Sequence, residues 1–284
     1  MDKILLINKE KGMTSRDVIN RLVKVFNTKK IGHFGTLDPL ATGLLVVGIG
    51  AFTKLGNILD DETKEYEVEV LIGKSTDTYD ITGKVINFQD ISLEKEKIVS
   101  CLNSFLGVYM QEVPIYSAVK VNGKKLYEYA RSGEEVVLPK KEVEILSISF
   151  KDLYERDGNK YFSFSCLVSK GTYIRSLIND ISIKLGVSLC MSNLKRTKCG
   201  NFSIENSFTL DDVESNNFSF LDITDVFDLE IIEVSDSLEH LVLNGTEIDI
   251  ISDKMILFTK DGSYISLYGV YKNKMKPFLT FKKE

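Results

Sequence analysis

One aspartate and one histidine stand inside the most heavily punctuated run of the chain, Gly32-His33-Phe34-Gly35-Thr36-Leu37-Asp38-Pro39-Leu40-Ala41-Thr42-Gly43. Glycines and a proline hold such a run away from regular structure, and irregular loops present side chains well. An aspartate before proline is biased towards extended geometry, and its carboxylate could serve as nucleophile or base. A turn-forming aspartate fits the same spacing, and a turn histidine competes with any chemical role for His33. Gly48-Ile49-Gly50 nearby lacks both the Gly-Lys-Ser/Thr ending of a P-loop and the third glycine of a dinucleotide fingerprint, so a nucleotide cofactor is not expected.

The elements around this loop alternate between strand and helix signals without regular βαβ spacing, which predicts an α+β fold with a mixed, mainly antiparallel sheet. Thr14 or Ser15 can cap a helix whose Val18, Ile19, Leu22, Val23 and Phe26 share one face. Leu44 to Ile49 reads as a buried strand. Tyr66, Val68, Val70 and Ile72 alternate with Glu65, Glu67 and Glu69, so the tyrosine points with the apolar set. A helix is expected from Ser92 to before Gly107, and a hairpin turn at Asn122-Gly123 ahead of a short helix over Leu126 to Arg131. Strands flank Asp157-Gly158-Asn159, and Gly171 to Leu185 reads as a helix ended by Gly186.

The 284 residues, 43% hydrophobic, suffice for one large domain or one large and one small. No segment approaches the roughly 20 apolar residues that span a bilayer, and the short run Ile4 to Ile7 fits a first strand better than a signal peptide. Cys101, Cys166, Cys190 and Cys199 show no CxxC spacing, and His33 and His240 lie far apart, which argues against a zinc site and for a reducing cytosol. The net charge of −5 argues mildly against a nucleic-acid partner. Basic residues nevertheless cluster at Lys120, Lys124, Lys125 and Arg131, at Lys140 and Lys141, and at Lys195, Arg196 and Lys198, while Asp60 to Glu69 and Asp211 to Asp228 are rich in acids. These clusters are either solvated faces or one RNA-facing surface on an acidic protein. The composition shift at Asp211 to Asp228 and the β-like runs after it suggest a small module, with a boundary near residue 230.

The punctuated loop resembles the catalytic loop of the TruB family of tRNA pseudouridine synthases, G-H-x-G-x-L-D-P-x-A-x-G, at every fixed position. The resemblance continues in order through Lys11 to Ser15, Ala51 to Lys54, Lys64-Glu65-Tyr66, Thr76 to Gly83, Tyr116 to Lys120, Lys124 to Arg131 and Ser169 to Arg175. It covers roughly residues 3 to 200. Departures are small: one proline in Val113-Pro114-Ile115, and Asp180-Ile181-Ser182 where Asp-Leu-Gly is usual.

The resemblance implies that Asp38 is the obligatory aspartate, Tyr66 the active-site tyrosine and Arg175 the arginine paired with the aspartate. The implied reaction isomerises uridine 55 of the tRNA T-loop to pseudouridine, with the base flipped into a pocket and no cofactor or metal required. Two routes stay open, covalent addition of Asp38 or removal of the ribose 2′ proton to give a glycal. Tyr66 is expected to stack on the base, His33 to support the rearranged RNA, Tyr173 to pack beneath the flipped nucleotide and Leu194 to line an apolar pocket. Lys54 either contacts RNA or caps a helix. Residues 116–143 resemble an RNA-gripping insertion, with Lys120, Lys124, Lys125 and Arg131 interleaved with Tyr127 and Tyr129; Lys195 and Arg196 extend the expected basic surface. Residues 231–284, including Lys272, Lys274 and Lys276, resemble a small PUA-like module behind a catalytic domain of residues 1–230. The expected partner is the tRNA T-stem-loop, met by a cytoplasmic monomer without obligatory protein partner. An RNA chaperone independent of catalysis, and a sister synthase guided by RNA within a ribonucleoprotein, are the competing readings.

Overall fold

The computed structural model describes residues 1–59, 63–249, 252–271 and 274–281; Asp60 to Glu62 of the acidic run and Lys272 lie outside the described residues. Strand β1 (Lys3–Lys9) leads into helix α1 (Ser15–Val25). Thr14 caps that helix reciprocally: its hydroxyl accepts the Asp17 N–H while the Asp17 carboxylate accepts the Thr14 N–H. Val18, Ile19 and Leu22 then bury one helical face.

Strands β2 (Ile31–Phe34) and β3 (Thr42–Ile49) bracket the punctuated loop. A 3-10 turn at Gly50–Leu55 and the short α2 (Gly56–Leu59) precede β4 (Lys64–Ile72). A small hairpin of β5 (Lys74–Thr76) and β6 (Val85–Phe88), helix α3 (Lys95–Asn103) and strand β7 (Gly107–Glu112) come next. The basic insertion is a two-residue hairpin, β8 (Lys120–Val121) and β9 (Lys124–Lys125), running into α4 (Leu126–Ser132). Asn122 and Gly123 both take positive φ, 51° and 82°, the pair of values that a tight hairpin turn needs.

The long strands β10 (Lys140–Arg156) and β11 (Asn159–Val168) meet at Asp157-Gly158, and α5 (Ile174–Leu185) ends at Gly186 with φ 69°. Strands β12 (Leu189–Cys199) and β13 (Phe202–Ser203) complete the main sheet. Its order is β1-β3-β12-β4-β11-β10-β7, with β2 on β3 and β13 on β12; the pairings are antiparallel except β3 with β12.

One edge of β3 carries β1, and its other edge is shared. There β12 pairs only with Thr42 and Gly43, while β2 pairs with Val46 to Ile49. The loop 35–41 springs from this split, which places the punctuated residues over a crevice in the sheet.

The acidic stretch after the sheet is largely helix-capping chemistry. Thr209 and Asp212 cap α6 (Leu210–Glu214), and Asp222 and Asp225 cap α7 (Ile223–Val226), with the acids at the positive ends of the helices. Beyond it, β14 (Leu229–Glu233), β15 (Met255–Lys260), β16 (Ser263–Tyr271) and β17 (Lys274–Thr280) form a second sheet, with α8 (Asp236–Leu243) between the first two strands in sequence. Its Leu257, Leu267 and Leu279, with the following Phe281, share one apolar cluster with Ile4, Leu6 and Phe34 of the main sheet and Phe52 of the 3-10 turn. The rings of Phe52 and Phe281 meet edge to face at 5.9 Å. Phe34, from the punctuated run, lies between Gly48 and Gly56, where a Cβ would overlap its ring.

Candidate active site

Three local devices shape the loop. The buried Ser15 hydroxyl accepts the Leu37 N–H at 2.9 Å and faces the Leu37 carbonyl at 3.2 Å, so the start of α1 pins the loop. The Asp38 carbonyl accepts the Ala41 N–H at 3.0 Å, closing a turn through Pro39, whose own carbonyl accepts the Gly12 N–H at 2.8 Å. Leu37, Leu40 and Ala41 point inward, leaving Asp38 to point out. Gly43 is required twice over. Its φ is +98°, and a Cβ would overlap the Arg196 carbonyl of the parallel strand, with Arg196 N at 2.9 Å. Gly43→Ala is expected to lower the thermal midpoint by roughly 5–10 °C, the consequence of about 3 kcal/mol of backbone strain; a calorimetric scan checks it.

Asp38 and Arg175 form a bidentate pair. Arg175 Nε donates to Oδ2 at 2.8 Å and Nη2 to Oδ1 at 3.1 Å. Nη1 donates to the Thr78 carbonyl at 3.3 Å and Nη2 also to the Tyr116 carbonyl at 3.1 Å. The Arg175 side chain thus makes four hydrogen bonds and is 7% exposed, whereas the Asp38 side chain is 36% exposed and opens onto a cavity of about 440 Å³. Thr78, in the Thr76 to Gly83 motif, supplies one of the carbonyls that hold Arg175. Asp80 accepts from the hydroxyls of Thr78 and Thr82, which rigidifies the segment.

Tyr66 lies deeper, 7% exposed, opposite Arg196 on β12. Burial raises the phenol above its ordinary range, and the charge of Arg196 and its hydrogen bond to the hydroxyl act against that. Tyr173 and Leu194 line the same cavity. Burial likewise raises the Tyr173 phenol, with nearby Arg175 opposing. Asp38 from the loop, Tyr66 from β4, Tyr173 and Arg175 from the start of α5, and Leu194 and Arg196 from β12 are thus brought together from four separate parts of the chain.

The remaining residues singled out in sequence lie elsewhere. His33 is half-buried on β2, one residue pair from the crevice, and Lys54 is exposed on the 3-10 turn. Lys120, Lys124, Lys125 and Arg131 sit on the basic hairpin and helix, where cations stack on tyrosines: Lys124 over Tyr129 at 4.7 Å, and Lys125 and Arg131 over Tyr127, each at 5.4 Å. Tyr127 also reaches the cavity, joining this knob to the site.

The expected surface at Lys195 and Arg196 is divided by strand alternation. Leu194 and Arg196 face the cavity, so Lys195 faces the opposite side of the sheet, 4.0 Å from Glu67, and Lys198 pairs with Glu65 at 3.3 Å. Arg196 is 1% exposed; its Nε donates to the Leu44 carbonyl at 2.8 Å and its Nη2 to the Gly35 carbonyl at 3.0 Å. It is a strut beneath the loop rather than part of a basic surface.

Other contributors carried no signal strong enough to single them out as site residues. Lys141 and Lys170 line the cavity, with the Lys141 amine lying over the Cα of Gly171, and the Tyr116 carbonyl holds Arg175. Lys9 is fully buried under the loop, donating to the carbonyls of Glu10 and Met13. Burial lowers it to about 8, against the pull of Asp38.

Asp180, on the side of α5 that meets Tyr109 of β7, is raised to about 6, chiefly by burial, with the Tyr109 hydrogen bond opposing and Glu112 adding to the rise. A carboxyl raised in the folded state binds its proton more tightly there, so folding stability falls as pH climbs from about 4 to about 6. Asp180→Asn is expected to remove that slope and to gain about 1 kcal/mol at neutral pH, a value reduced for solvent screening. Urea unfolding at pH 4.5 and 7 measures it.

With this geometry in place, comparison with known proteins is decisive. A family model described as "TruB family pseudouridylate synthase (N terminal domain)" matches residues 23–174. The chain belongs to the TruB family. It is 41% identical to the tRNA pseudouridine synthase B of Mesoplasma florum over 263 residues, 92% of this chain and 90% of that relative. It is 38% identical to the protein of the same name from Oceanobacillus iheyensis over 298 aligned residues, 99% and 98% of the two chains. The fold matches a chain of the crystal structure of a Cbf5-Nop10-Gar1 complex with a TM-score of 0.70 at 21% identity, over 99% of this chain and 84% of that one. The main sheet is thereby the pseudouridine synthase fold of mixed, mainly antiparallel strands, and a β-rich C-terminal sheet accompanies it.

Proposed function

We propose that this TruB-family chain isomerises uridine 55 in the T-loop of tRNA to pseudouridine, with Asp38 as the reacting carboxylate. The observation that carries the reading is the bidentate Asp38–Arg175 pair at the mouth of a cavity floored by Tyr66 and Leu194. The names of the relatives supply the substrate class. In the net reaction the C1′–N1 bond breaks, a C1′–C5 bond forms, and the C5 proton is lost as N1 gains one. Atoms balance without a co-reactant.

The chain's residues divide this work. Arg175 occupies both carboxylate oxygens from one side and is itself held by the carbonyls of Thr78 and Tyr116, so Asp38 is oriented towards the cavity. It is placed either to add to the substrate or to take the ribose 2′ proton. Tyr66 stands below, suited to stack on the detached base and to assist removal of the C5 proton. A cavity of about 440 Å³ accepts a flipped base and sugar, with Tyr173 and Leu194 replacing the lost stacking. The basic knob of Lys120, Lys124, Lys125 and Arg131, together with His33 and Lys54, is proposed to contact the T-arm backbone and loop. Residues 1–230 are proposed as the catalytic domain and 231–284 as a PUA-like accessory that meets tRNA. The enzyme is proposed to work in the cytoplasm as a single polypeptide; among the described residues no helix is long and apolar enough to cross a membrane.

The test is incubation of the pure protein with an unmodified tRNA transcript carrying tritium at C5 of its uridines. Tritium release, together with pseudouridine at position 55 by mass spectrometry, supports the reading. Binding without release replaces it with the RNA-chaperone reading.

A further inference from the structure

Gln111 lies on β7, is 1% exposed and does not line the cavity. Its Oε1 accepts the N–H of Tyr173 at 2.7 Å. Tyr173 is the residue at the N-terminal cap of α5, and its own side chain does no capping. A backbone N–H can only donate, so this contact fixes which end of the Gln111 amide faces the helix. The amide nitrogen must then face away, and it donates to the Tyr109 hydroxyl oxygen at 2.6 Å. That hydroxyl, having accepted, donates to Asp180 Oδ2 at 3.3 Å. The direction of every bond in the chain follows from the first.

The spacing makes this a clamp. Tyr109 and Gln111 are two residues apart on a strand and share a face, while Tyr173 and Asp180 are seven apart on a helix and share a face two turns long. One strand therefore grips one helix at two points, and Arg175 lies in the first turn beyond the upper point. Four residues past the end of that strand lies Tyr116, whose carbonyl also holds Arg175.

We propose that Gln111 is a positioning residue for the isomerisation. By anchoring the Tyr173 N–H it sets where the Tyr173 ring and Arg175 stand, and through Arg175 where the Asp38 carboxylate points. The proposal rests on the function proposed above. Displacement of a reacting group by about 1 Å is enough to cost on the order of 100-fold in rate.

Two variants test it, Gln111→Met, which keeps the side-chain shape and loses the acceptor, and Gln111→Glu, which keeps an oxygen for the Tyr173 N–H. Three quantities are read: the single-turnover rate on saturating unmodified tRNA, the Kd for that tRNA, and amide hydrogen exchange at residues 173–176 of the free protein. Gln111→Met is expected to slow the rate roughly 10–100-fold with Kd within about threefold, and to speed exchange. Gln111→Glu is expected to restore exchange protection and most of the rate. The proposal is overturned by a Gln111→Met rate within threefold of wild type, by Kd rising in step with the loss of rate, or by Gln111→Glu behaving like Gln111→Met. Exchange is read without RNA, so inactive wild-type protein would sink the proposed function while the anchor is still decided.

Discussion

Asp38→Asn is expected to reduce pseudouridine formation by at least about 1,000-fold while leaving tRNA affinity within about threefold. The substitution keeps the shape of the side chain and one acceptor oxygen, so Arg175 retains that oxygen and its bonds to the carbonyls of Thr78 and Tyr116. An amide is neither a nucleophile nor a base at neutral pH, so either chemical route stops. Breaking a fully buried ion pair costs about 3–5 kcal/mol. Here the carboxylate is 36% exposed and the amide replaces it as acceptor, so the expected loss of stability is only about 1–2 kcal/mol. Tritium release and filter binding, measured on the same preparation, separate the two effects. A residual rate within tenfold of wild type would remove Asp38 from the chemistry.

Arg196→Met should act on stability and rate together. The substitution strands the carbonyls of Gly35 and Leu44, each an unsatisfied buried acceptor worth about 1–3 kcal/mol. Some of that loss is offset because a desolvated charge disappears as well. A net loss of about 2–4 kcal/mol is expected, with the midpoint of urea unfolding lowered accordingly. Gly35 is three residues before Asp38 and Tyr66 leans on the same guanidinium, so the rate should fall at least about 100-fold in the fraction that stays folded. Arg196→Lys is not expected to rescue it, because one ammonium cannot reproduce a fork that spans two carbonyls. If the only change were weaker tRNA binding with a shallower salt dependence, Arg196 would be a phosphate contact after all.

These two residues also mark how far sequence reasoning reaches. Asp38 is legible because its neighbours are restricted by local backbone chemistry: Gly35 and Gly43 take φ of +79° and +98°, and Pro39 follows directly. The Asn122-Gly123 turn, the Thr14 cap and the Gly186 stop are legible for the same reason, since each depends on a few consecutive residues. The alternation that turns Tyr66 inward is a property of one strand alone. The acidic stretch is a partial exception; its composition suggested a boundary, whereas its acids cap α6 and α7.

Which charged residues of Lys195-Arg196-Lys198 face the cavity is a different kind of question. Alternation says that Lys195 and Arg196 point opposite ways, but only the packing of β12 between β3 and β4 decides which side is covered. A buried arginine is misleading in sequence because hydropathy assigns it to water, and its partners, the carbonyls of Gly35 and Leu44, have no residue-type signature. Gln111 is hidden likewise, since its partner is a backbone N–H 62 residues away. The sequence by itself determined the punctuated loop, its turns and caps and the family, because those rest on local steric rules and motif order. The tertiary structure alone decided which polar side chains hold that loop and its arginine in place, because their partners are backbone atoms brought together only by the pairing of distant strands.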